Sequence, residues 1–89
     1  MDKDLLVVGM VGEAIEKLQR ALNLFGNSLI LDGFFGHDVY KAVVKFQVEN
    51  DLKPTGIVDG ITRKLLNLDS IHVDDVEYWY PQSIEKNKK

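Results

Sequence analysis

The sequence predicts an all-α domain in which three short helices pack on one core and are joined by glycine-rich turns. Three observations predict it: two stretches with apolar residues at helical spacing, a glycine or an asparagine–aspartate pair where each stripe stops, and an internal repeat of turn, apolar plug and helix. The chain has 89 residues, enough for one domain. A domain of this size buries only about 60% of the surface that its unfolded chain exposes. That leaves room for a compact core and little for a deep catalytic cleft. Hydrophobic residues make up 45% of the chain and charged residues 28%, a globular balance rather than a disordered one.

The first predicted helix spans residues 12–25, GEAIEKLQRALNLF. Ala14, Ile15, Leu18, Ala21, Leu22 and Phe25 recur at spacings of three and four, the stripe of an amphipathic helix. Glu13, Glu16, Lys17 and Arg20 fall on the opposite face. Gly26 follows, where a left-handed helix stop favours glycine. Residues 27–36, NSLILDGFFG, are turn-rich, and Asp32-Gly33 is a strong turn signal.

Helical spacing resumes over residues 37–50, HDVYKAVVKFQVEN. Val39, Ala42, Val43 and Phe46 form its apolar stripe, with Phe46 as the expected centre of the core. Lys41, Lys45 and Glu49 point away, and Asn50-Asp51 ends the helix. Lys53-Pro54-Thr55-Gly56 is the next turn, because Pro54 disfavours helix at Lys53. Asp59 is the expected N-cap of a third helix over residues 60–67, with Leu65, Leu66 and Leu68 facing inward.

An internal repeat supports these boundaries. The stretch from Asp32, DGFFGHDVYKAVVKF, aligns with the stretch from Thr55, TGIVDGITRKLLNL. Gly33 matches Gly56, Phe35 matches Val58, Val39 matches Thr62 and Val43 matches Leu66. Neither unit can bury its apolar face alone, so the two units and the first helix share one core. The chain divides into an N-terminal lead (1–11), the domain (12–68) and a C-terminal tail (69–89).

Taken together these residues resemble the type 1 peptidoglycan-binding domain. That family carries a helix with a G-x-x-V-x-x-L-Q-x-x-L-N-x-x-G rhythm, a D-G-x-F-G turn, an A-V-x-x-F-Q helix, and a second glycine turn before a T-x-x-x-L helix. Here Gly12, Ile15, Leu18-Gln19, Leu22-Asn23 and Gly26 are followed by Asp32-Gly33-Phe34-Phe35-Gly36, Ala42-Val43 and Phe46-Gln47. Thr55-Gly56-Ile57-Val58-Asp59 and Thr62 complete the set, which runs over about residues 9–68 in order and in spacing. Val39 stands where the family often has Thr, Asp51 where glycine is common, and Thr55 where aspartate is common. The resemblance implies architecture first. Most motif residues are expected to be core or turn residues, and Gln19 and Gln47 are expected to tie down loops rather than to face a glycan.

The function that the resemblance implies is non-catalytic binding of bacterial peptidoglycan, through glycan, stem peptide or both. The module would target an associated wall hydrolase, phage particle or secretion component, and polymer avidity would supplement a modest affinity. The expected ligand face is Asn27, Asp32, His37, Tyr40 and Lys41, which combines loops, an aromatic ring and both charge signs. The alternative is a protein-docking adaptor that keeps the fold and binds through its tail. The related propeptide of matrix metalloproteases implies that the fold can serve another protein, although its inhibitory cysteine has no counterpart in this cysteine-free chain.

No catalytic centre is expected, and neither a metal nor a cofactor. His72 lies near Asp69, Asp74 and Asp75, but a solvated acidic segment explains that grouping. Asp32, Asp38 and Asp59 sit at turns and helix starts, where capping accounts for them. Ser28, Ser70 and Ser83 have no nucleophile motif around them. Net charge is −3 without a long basic stripe, which argues against nucleic acid and against an anionic membrane surface as partners. The start Met1-Asp2-Lys3-Asp4 and the short run Leu5 to Val8 do not read as a secretory signal, and no stretch has the length of a membrane span. The expectation is synthesis in the cytoplasm and delivery to the wall by another route, or carriage on a virion.

The tail lies outside the resemblance. Residues 69–85 carry five acids (Asp69, Asp74, Asp75, Glu77 and Glu85) around Tyr78, Trp79 and Tyr80. Consecutive aromatics are depleted in disordered chains, so Trp79 is expected to be at least partly buried. It would pack on its own core or contact a partner together with Tyr78 and Tyr80.

Overall fold

A computed structural model of the chain describes residues 5–68 and 76–78. The elements run β1 (Met10–Gly12), α1 (Glu13–Leu24), α2 (His37–Glu49), α3 (Gly60–Leu65) and β2 (Val76–Tyr78). The three helices lie where the stripes place them, within one or two residues at each end. No helix among the described residues is long and apolar enough to cross a membrane.

Each helix buries the face that its spacing defines. α1 buries Ala14, Ile15, Leu18, Ala21 and Leu22, and α2 buries Val39, Ala42, Val43 and Phe46. Glu13 and Glu16 occupy the first turn of α1, where acidic side chains offset the helix dipole in the absence of a side-chain cap. Phe25, at the C-cap of α1, sets its ring edge-on to Phe46 at a centroid distance of 5.0 Å. α2 stops as expected at Asn50-Asp51. The Asn50 side-chain amide donates to the Phe46 carbonyl at 2.8 Å, and Asp51 takes the left-handed conformation, φ 61°, that glycine more often supplies.

α3 starts on Asp59, whose carboxylate accepts from the Thr62 backbone N–H at 3.0 Å. Its inward face differs from the expectation in one residue. Leu66 and Leu68 are buried, but Leu65 is 42% exposed. Thr62 and Leu66 are four residues apart and share the buried face, which turns the intervening Leu65 outward. Asn67, with φ 63°, then reverses the chain and returns Leu68 to the core.

The lead into α1 is stitched to both repeat units. Leu6 exchanges backbone hydrogen bonds with Val58, at 3.1 and 3.0 Å. Three and four residues on, the Gly9 N–H donates to the Phe35 carbonyl and the Met10 carbonyl accepts from the Phe35 N–H, both at 2.9 Å. The segment therefore crosses the two apolar plugs, Phe35 and Val58, which are fully buried and equivalent in the repeat. Leu6 and Met10 enter the same core. A short antiparallel ladder completes the structure: β1 pairs with β2 in the register Met10–Tyr78, Val11–Glu77 and Gly12–Val76.

Candidate functional site

Two buried glutamines lock the two glycine turns, as the loop-tying role predicts. Gln19 donates from Nε2 to Asp32 Oδ1 at 2.9 Å and to the Phe34 carbonyl at 3.2 Å. Its Oε1 accepts from the Gly33 N–H at 3.0 Å. Gln47 repeats the device: Nε2 donates to the Ile57 carbonyl at 2.9 Å and to Thr62 Oγ1 at 3.1 Å, and Oε1 accepts from the Gly56 N–H at 2.9 Å. A primary amide suits this task because one side chain satisfies a buried N–H and a buried carbonyl together. Gly33 and Gly56 have φ of 73° and 76°, a region that side chains with a Cβ rarely adopt. A Cβ on Gly56 would also run into the Tyr40 ring. The repeat read from the sequence is thus a repeat of backbone geometry.

Two asparagines shape the loop between α1 and α2. The Leu29 N–H donates to Asn23 Oδ1 at 2.7 Å, while Asn23 Nδ2 donates to the Leu29 carbonyl at 3.0 Å. Asn27 Nδ2 donates to the Leu22 carbonyl at 2.9 Å, closing the end of α1.

The folded-back loop and α2 enclose two adjoining grooves. The first, of about 300 Å³, is lined by the apolar side chains of Leu29, Ile30 and Phe34 and by the polar ones of Asp32, His37 and Asp38. The second, of about 380 Å³, lies between Asn27 and the α2 residues Asp38, Lys41 and Lys45. Asp38 borders both. The first groove carries the acids Asp32 and Asp38, and the second carries Lys41 and Lys45 beside Asp38.

Asp32 is held in its charged form. The Gln19 amide and then the Phe34 N–H, both donating to Oδ1, keep its carboxyl below the usual carboxylate value. A depressed carboxyl contributes stability that is present above its ordinary value and is lost as pH falls through the lowered one. Asp32→Asn is therefore expected to flatten the acid limb of the stability curve. In melts from pH 6 down to about pH 2, the parent should lose more Tm below about pH 4 than the variant. Parallel curves would contradict the assignment.

Of the residues expected on the ligand face, Asp32 and His37 line the first groove, and Asn27 and Lys41 line the second. The Asn27 amide nitrogen is already engaged by the Leu22 carbonyl. Tyr40 lines neither groove. Its ring lies on Gly56 and stacks beside His37, with centroids 6.3 Å apart and planes 16° apart. It therefore belongs to the second glycine turn rather than to the Asp32-Gly33 loop. Asp38, read from the sequence as a helix-start residue, and Lys45, read as solvated surface, were missed as groove residues. The spacing 38, 41, 45 places them on one helical face and was the available signal. Trp79, Tyr80, His72 and the acids of residues 69–75 lie outside the described residues, as does the expected burial of Trp79. Tyr78 is described as the β2 residue opposite Met10. Among the described residues, no three His, Asp or Glu side chains converge as a metal site.

A family model for the peptidoglycan binding domain matches residues 11–66. No curated protein matches the chain. Among solved structures, the chain is similar to a peptidoglycan-binding protein from Clostridioides difficile in complex with glutamine hydroxamate. Identity is 31% and the TM-score 0.69, over 72% of this chain and 40% of that one. A Burkholderia AP3 phage endolysin is 31% identical with a TM-score of 0.70, over 72% of this chain and 25% of that one. A fused Zn-dependent amidase/peptidase/peptidoglycan-binding protein from Clostridium acetobutylicum is 30% identical with a TM-score of 0.72, over 74% of this chain and 30% of that one. The chain thus spans 25–40% of the length of these three proteins.

Proposed function

Because the chain belongs to the peptidoglycan binding domain family, we propose that it is a non-catalytic module that holds bacterial cell wall and brings an associated wall-active protein or particle to it. One observation carries the proposal to a surface: the two adjoining grooves, lined by Asn27, Asp32, His37 and Lys41 and widened by Asp38 and Lys45. They are shallow and bounded by loop and helix, a form that suits a polymer strand lying across the surface. Each module would bind weakly, and repeated sites along the wall would raise the residence time. Delivery of a lytic activity is supported by two similar proteins, a phage endolysin and an amidase/peptidase fusion.

Sedimentation with purified sacculi tests the proposal. The chain should pellet with sacculi and stay in the supernatant without them. Protein that remains in the supernatant at all sacculus loads would end the wall-binding role. A version lacking residues 69–89 separates this role from docking through the tail. It removes β2 from its ladder with β1. The truncated protein should therefore melt at a lower temperature and still pellet. Loss of pelleting by a truncated protein that remains folded would move the ligand contact to the tail.

A further inference from the structure

The grooves have a polarity that specifies the ligand chemistry more closely. Resting on wall binding as proposed above, we infer that they read the charged peptide of the wall rather than its sugar chain. The ligand is a short peptide with free carboxylates and a free side-chain ammonium, its carboxylates toward Lys41 and Lys45 and its ammonium toward Asp32 and Asp38.

Asp38, Lys41 and Lys45 follow one another at three and four residues along α2, so neighbouring Cβ atoms lie about 5–6 Å apart on one face. Lys45 sits about 10 Å along the helix axis from Asp38. All three side chains are exposed, and none has an ion-pair or hydrogen-bond partner among the described residues. Arg20 and Glu16, by contrast, already pair with each other at 3.0 Å. Asp32, held ionised by its hydrogen bonds from Gln19 and Phe34, adds a second negative group to the first groove, which Asp38 also lines. Along α2 the row runs negative, positive, positive from Asp38 to Lys45, and Asp32 is a further negative group in the groove that Asp38 borders. A zwitterionic peptide complements that row. A glycan whose carboxyl groups are tied up in amide links offers no charge to any of the four.

The aromatic geometry points the same way. A neutral sugar is best held on the open face of an aromatic ring. Phe34, the aromatic residue of the first groove, is only partly exposed, and Tyr40 lies against Gly56 and lines neither groove. Leu29 and Ile30 instead offer a short apolar wall suited to an alanine methyl. A third depression, about 390 Å³ along α3, is lined by Gly60, Ile61, Arg63, Lys64 and Leu65. Among the described residues its lining carries positive charge and no acid, so it matches only one end of a zwitterion.

The test titrates the free tripeptide L-alanyl-γ-D-glutamyl-meso-diaminopimelate, its amine-acetylated form, and glycan strands stripped of peptide, with the carboxyl groups that stripping frees capped again as amides, into the intact chain. Amide shifts supply the site and Kd. The tripeptide should perturb residues 29–45, and acetylation should weaken it about tenfold, the size expected for losing one or two solvent-exposed ion pairs. The double change Lys41→Glu with Lys45→Glu should weaken binding of the tripeptide, and of sacculi, by about tenfold or more. The equal charge change Lys53→Glu with Lys64→Glu, off the grooves, should leave both unaffected. Unchanged helix content and Tm would show that the variants fold. If stripped glycan competes with sacculi and the tripeptide does not, the inference is overturned while wall binding stands. It is also overturned if the two charge variants lose affinity equally, since binding would then follow net charge alone. Failure of the unmodified chain to pellet with sacculi overturns wall binding itself, and this inference with it.

Discussion

Phe46→Ala should lower the unfolding free energy by about 3–5 kcal/mol, the usual cost of emptying an aromatic site in a core. Phe46 is 3% exposed, is the largest and last apolar member of the α2 stripe and packs edge-to-face with Phe25 at 5.0 Å. Removing it loses the ring's own burial, leaves a cavity among α1 and α2 side chains and strands Phe25, which is already half exposed. Domains of this size have total stabilities of about 5–15 kcal/mol, so the change consumes a large share. Each kcal/mol shifts Tm by about 4–8 °C at this length, which makes the expected fall about 12–40 °C. Thermal melts followed by circular dichroism read it directly. Phe46→Leu, which refills most of the volume, should recover most of the loss. A Phe46→Ala protein that melts with the parent would show that Phe46 is not central to the core.

Gln47→Leu should cost about 2–6 kcal/mol for a different reason. Leucine keeps most of the volume but leaves the Gly56 N–H without its acceptor and Thr62 Oγ1 without its donor, both in buried positions. Each stranded polar group costs about 1–3 kcal/mol. The loss is therefore one of hydrogen bonding, and a second substitution can expose that. Adding Thr62→Val removes one stranded group, so the double variant should be more stable than the sum of the two single changes predicts. A double-mutant cycle by denaturant unfolding measures the coupling. Strict additivity would mean that the Gln47–Thr62 bond contributes nothing measurable.

These two residues also show what can be read without coordinates. Phe46 follows from spacing alone, since a large apolar residue on an amphipathic stripe has little choice but the core. Gln47 is harder, because a glutamine beside a core position can serve a loop or a ligand. What settles it is the carbonyl of Ile57 and the N–H of Gly56, which approach Gln47 only when the second turn closes over α2. Leu65 shows the limit from the other side. Spacing placed it inside, but a helix as short as Gly60–Leu65 has one narrow buried face, and Thr62 and Leu66 fill it.

The sequence by itself determined the three helices, their stops, the paired turns at Gly33 and Gly56 and the family to which they belong. Those features are set by neighbours a few residues apart: a helical period, a capping aspartate, a glycine that tolerates positive φ. Only the tertiary structure decided which polar groups face one another. Leu6 had to find Val58 before the lead could join the core, and Tyr40 had to settle on Gly56 rather than in a groove. The Asn23 and Asn27 pins had to fold the loop back before Asp32 and His37 could share a wall with Asp38, Lys41 and Lys45. A groove is a relation between segments distant in the chain, and its charge pattern carries no local periodicity, so it exists only once packing has brought those segments together.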